Sequence, residues 1–129
     1  MGAPVPAVSR SNPLALSALE SCLAHLLEKH RVVVAEGYGD AAWPLGRLSL
    51  EPAAVLAVAP GQVVAYNPGK YRAVLSASAE LGGGARLEDV AAFIHPEAYF
   101  KVPPPGAAEA RGEGLSLVVD YVLSKLEGT

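Results

Sequence analysis

Apolar residues recur along the chain at different spacings, and each spacing predicts a different element. Leu16, Leu19, Leu23, Leu26 and Leu27 follow a helical period. Asn12 can cap that helix and Pro13 suits its first turn, so the pattern predicts a helix running to about His30. Arg31 to Glu36, RVVVAE, is a β-branched run that reads as a buried strand. The segment Arg47 to Glu51, RLSLE, alternates, with Leu48 and Leu50 inward, and predicts a second strand.

Two Pro-Gly corners follow, Ala59-Pro60-Gly61-Gln62 and Asn67-Pro68-Gly69-Lys70. Proline presets φ at the first central position of a turn and glycine supplies positive φ at the second, which specifies type II geometry. The spacing predicts a meander of strands over residues 53–59, 62–67 and 70–78. Type II turns twist against the strands of a tight hairpin, so loops wider than the simplest register are expected. The run AAVLAVA at 53–59 would equally fit a short helix beginning at Pro52. Gly82, Gly83 and Gly84 end the meander. Leu87, Val90, Ala91 and Ile94 then mark a short helix with Glu88 and Asp89 in its first turn, closed by Pro96. Residues 98–102 read as an edge strand and residues 103–114 as an exposed loop. Leu115, Val118, Val119, Val122, Leu123 and Leu126 form the stripe of a final helix.

The pattern therefore predicts an α+β fold: about five mostly antiparallel strands in a meander, covered on one face by the N-terminal and C-terminal helices. Residues 1–11, rich in Pro and Ala, form an extended arm in this reading, and residues 12–129 a single α+β domain.

Composition adds a constraint on assembly. The apolar residues are mostly Ala, Leu and Val, with eight aromatics and Ile94 as the lone isoleucine. Small side chains bury little area each, at roughly 25 cal/mol per Å², so the core is thin and self-association would support it. The net charge of −3 carries no basic stripe able to displace counterions from duplex DNA. Residues 87–129 hold seven acidic against three basic residues, and residues 31–86 hold four against five. Cys22 stands alone, which excludes an internal disulfide and fits a reducing compartment. The opening residues lack a secretion signal, and no apolar run reaches the roughly eighteen residues of a membrane span. The expected location is cytoplasmic, with no membrane partner. Scarce Asn, Gln, Cys and Met beside eleven prolines suit a thermophile or a GC-rich genome.

The candidate chemistry is sparse. In a two-residue hairpin at YNPGKYR, Tyr66 and Tyr71 would lie opposite each other beside Lys70 and Arg72, a patch able to stack a small ligand or a single-stranded base. Ordinary cross-strand packing explains the same tyrosines. His95, Glu97 and Tyr99 gather an imidazole, a carboxylate and a phenol within five residues, the best candidates for general acid-base work in a hydrolase-like site. The triple glycine lacks the GK[ST] of a phosphate loop. His25, His30 and His95 show no metal-ligand spacing, and Cys22, on the flank of a leucine stripe, reads as packing. Trp43 reads as a lid over the sheet edge. Nothing calls for a cofactor or a metal. The reading that remains is a non-enzymatic interaction module acting as a homo-oligomer, with itself or another protein as partner.

Overall fold

The computed structural model describes residues 13–37, 42, 43, 51–80 and 86–127, with the side chains of 17–37, 42, 43, 51–77 and 86–127. The expected arm at 1–11, the triple glycine and most of the strand expected at 47–51 lie outside these residues.

The fold is α+β, with helices around a three-stranded antiparallel sheet. Helix α1 spans Pro13–Lys29, and its last turn closes through the His30 N–H donating to the Leu26 carbonyl at 2.9 Å. Strands β1 (Val55–Ala59) and β2 (Gln62–Tyr66) form a hairpin, followed by α2 (Pro68–Glu80) and the short α3 (Leu87–Ala91). Strand β3 (Ala98–Lys101) pairs with β2, and α4 (Ala108–Glu127) completes the order. The sheet order is β1-β2-β3, with β2 in the centre.

The run at 53–59 is a strand in its second part and not a helix. Its register pairs Ala59 with Gln62, so the Pro60-Gly61 corner is a two-residue loop after all, with Gly61 at φ +80°. The wider loop expected from turn twist is absent. One reason is that the Gly61 carbonyl accepts the Val102 N–H at 3.0 Å, which holds the corner against the end of β3.

Two strand expectations are corrected. Residues 70–78 are helical, within α2. Asn67 is the cap: its side-chain oxygen accepts the Lys70 N–H at 3.1 Å, and its carbonyl accepts the Tyr71 N–H at 2.9 Å. Pro68 occupies the first helical position, where its missing N–H costs nothing. Residues 31–36 form neither helix nor strand and have no ladder partner among the described residues; β propensity alone makes no sheet without a neighbouring strand. Five strands therefore become three among the described residues. The loop expected up to residue 114 is shorter, since α4 starts at Ala108.

The helices also distribute differently from expectation. Residues paired across an antiparallel ladder share a face. Val55, Ala57, Val64 and Tyr66 thus share one face, and they pack with Trp43, Tyr71, Leu75 and Val90 of the core. Helices α2 and α3 cover that side. Val63, Ala65, Ala98 and Phe100 share the other face, where Phe100 meets Tyr121 of α4 edge-on at 5.5 Å between centroids. Helices lie on both faces of the sheet, and α1 has no extensive contact with it among the described residues.

Candidate functional site

The YNPGKYR corner is a strand-to-helix junction. Tyr66 ends β2 and Tyr71 lies in the first turn of α2, so both rings turn into the core and keep only 6% and 2% of their surface exposed. Their centroids are 5.7 Å apart, and Trp43 packs on Tyr71 at 6.4 Å. The Tyr71 hydroxyl donates to the Ala42 carbonyl. Burial, with Tyr66 adding to it, pushes the Tyr71 phenol up to about 12. The cross-strand pair expected at a hairpin tip is thus replaced by a buried aromatic cluster. Lys70 is exposed, and Arg72 donates through Nη1 to Glu51 Oε1 at 2.9 Å. Trp43 belongs to the core and is not a lid at the sheet edge.

His95, Glu97 and Tyr99 do not converge. Tyr99 shares the face of Ala57 and Val64 and is 60% exposed. Glu97 instead reaches α4 on the opposite side, where it accepts from the Tyr121 hydroxyl and from Lys125 Nζ at 2.9 Å. Its backbone N–H donates to the Ala65 carbonyl at 2.7 Å, which anchors the start of β3. The two side-chain hydrogen bonds, Tyr121 first, hold the Glu97 carboxyl below its ordinary range. Burial and the Glu97 bond push the Tyr121 phenol up to about 12. Each shift makes proton transfer at neutral pH harder, and the two bonds tie α4 to the start of β3. His95 is exposed and makes none of these contacts.

Cys22, expected against an apolar stripe, is exposed, as are His25 and His30. Among the described residues no group of His, Cys, Asp and Glu could hold a metal ion, and no helix is long and apolar enough to cross a membrane.

Two features were not singled out from sequence. The first is the unequal cover of α4. Val118, Val122 and Leu126 are half-buried, whereas Leu115, Val119 and Leu123 are 42%, 54% and 49% exposed. Spaced four apart, these three form a ridge about 12 Å long at 1.5 Å per residue. The stripe was legible; its division into a half-buried and an open half depends on what the fold brings against the helix, which periodicity does not give.

The second feature is a groove of about 350 Å³ between the β1–β2 corner and the start of α4. Its apolar lining includes Val58, Val63, Val102 and Leu115, and Gln62 and Arg111 are its polar side chains. Arg111 is half-buried and donates through Nη1 to the Pro103 carbonyl at 3.2 Å.

No protein-family model matches the chain, and no curated protein or solved structure matches it either.

Proposed function

We propose that this protein is a non-enzymatic interaction module that works as a homo-oligomer, a second copy covering the outer ridge of α4. The ridge of Leu115, Val119 and Leu123 carries the proposal. Fully burying a side chain of this size is worth about 1.5–3 kcal/mol, and three in a row on each of two copies supply a continuous apolar contact. The thin core supports the reading, because small side chains leave the fold to gain area from assembly. Another protein in place of the second copy is the alternative within the same class. The cytoplasmic location and a fourth strand at 47–51 belong to this reading and rest on sequence pattern. No observation favours catalysis by His95, Glu97 and Tyr99. Stacking on Tyr66 and Tyr71 would require rings that the core already occupies.

Replacing Val119 and Leu123 together by Glu should leave a folded monomer by circular dichroism and light scattering. Leu117→Glu is the control: Leu117 is 59% exposed but lies roughly 160° round the helix from Val119, and its substitution should leave the assembly intact. Equal effects from both changes would remove the ridge from the account.

A further inference from the structure

Among the described residues, two of the three half-buried cations sit against carboxylates. Arg72 pairs with Glu51 at 2.9 Å and Lys125 with Glu97 at 2.9 Å. Arg111 is the exception among the described residues: its bond is to the Pro103 carbonyl, and no Asp or Glu side chain accepts from it. A guanidinium drawn partly out of water prefers a compensating anion, and its planar fork suits a carboxylate. Arg111 lines the groove described above, and no acidic residue among the described residues lines it. The rest of the lining is largely aliphatic, and Val58 and Leu115 leave 74% and 42% of their surface open.

We propose that this groove binds a small amphipathic carboxylate, its acid group on Arg111 and its apolar chain along Val58, Val63, Val102 and Leu115. The volume of about 350 Å³ lies at the lower end of the roughly 300–1,000 Å³ typical of ligand sites, which suits a short aliphatic chain. A monoanion fits better than a phosphate ester, because Arg111 is the one cation among the described lining residues and a dianion would keep uncompensated charge. The site shares Leu115 with the ridge on α4, but its anion contact at Arg111 and its apolar contacts at Val58, Val63 and Val102 lie off that ridge, so the titration tests it apart from the oligomer.

The test is calorimetric titration of the intact protein with octanoate, octanol and octylammonium, which share one chain and differ in head group. Saturable binding of octanoate is expected, about tenfold tighter than octanol, as a charge-assisted bond would give, with octylammonium weakest. Arg111→Gln should bring octanoate down to the affinity of octanol while octanol binds as before, which also shows that the variant is folded. Val58→Asp, at a position 74% exposed, should weaken octanoate and octanol alike. Octanoate binding no tighter than octanol in the wild type, or unchanged in Arg111→Gln, would overturn the proposal. Binding unaffected by Val58→Asp would place the ligand elsewhere and overturn it equally.

Discussion

The backbone of Gly114 in α4 lies against the carbonyl of Lys101 at the end of β3, so closely that a β-carbon at 114 would collide with that oxygen. The Val102 Cα would lie 3.3 Å from the same carbon. The glycine lets the helix pack closely against the end of β3, and both obstacles are backbone, which cannot rotate away. Gly112, two residues earlier in the same turn, has nothing within 4 Å of its would-be β-carbon.

The two glycines therefore have opposite expected effects when replaced by alanine. Gly114→Ala should destabilise the protein by about 1–3 kcal/mol through overpacking. Gly112→Ala should stabilise it by about 0.5–1 kcal/mol, because alanine lowers the entropy of the unfolded chain and favours the helix. Urea denaturation of the two variants beside the wild type reads both signs. A neutral Gly114→Ala would mean that α4 does not approach β3 as described.

These glycines also explain a failure of sequence reading. AAEARGEG looks like a loop because each helical glycine costs roughly 1 kcal/mol against alanine. Only the close approach of β3 accounts for Gly114, and that approach is a tertiary fact. The α2 junction is a different lesson. Asn67-Pro68 carries the same cap-and-proline pair as Asn12-Pro13, yet Gly69 made it resemble a turn. The helical spacing of Tyr71, Val74 and Leu75 was the legible signal, and all three contribute to the core. The end helices, the hairpin around Gly61 and β3 were readable because periodicity and turn chemistry act locally. The positions of Tyr121 and Lys125 around Glu97 were not, since a sequence does not say which strand a helix face will meet.

Tyr71 and Tyr121 should titrate late. Both phenols stand at about 12 against an ordinary 10.0, raised first by burial. A folded-state value above the unfolded one means that their contribution to stability is complete below pH 10. It is lost as pH rises from there through about 12. Ultraviolet titration of phenolate should show a late component that shrinks in Tyr71→Phe and in Tyr121→Phe. Tyr71→Phe should also cost about 1–2 kcal/mol, because the Ala42 carbonyl loses its donor. A single early ionisation of all tyrosines below the unfolding transition would contradict the buried aromatic cluster.

Glu97 makes the opposite statement at low pH. Its carboxyl is held below the ordinary value by Tyr121 and Lys125, so its contribution is present above that value and disappears as pH falls through the folded-state one. Glu97→Gln should cost roughly 0.5–1.5 kcal/mol at neutral pH, the scale of a typical hydrogen bond. It should also flatten the loss of stability on acidification, measured as thermal midpoints across the acid range. A variant as acid-sensitive as the wild type would show that the bond between α4 and β3 is not made in solution.

The central claim is that the open half of α4 is covered by a second copy. Sedimentation velocity of the unmodified protein over a wide dilution series tests it most directly. A species larger than one chain, giving way to the single chain on dilution, is the predicted result. One chain's mass at every concentration, with the fold stable throughout, would contradict it.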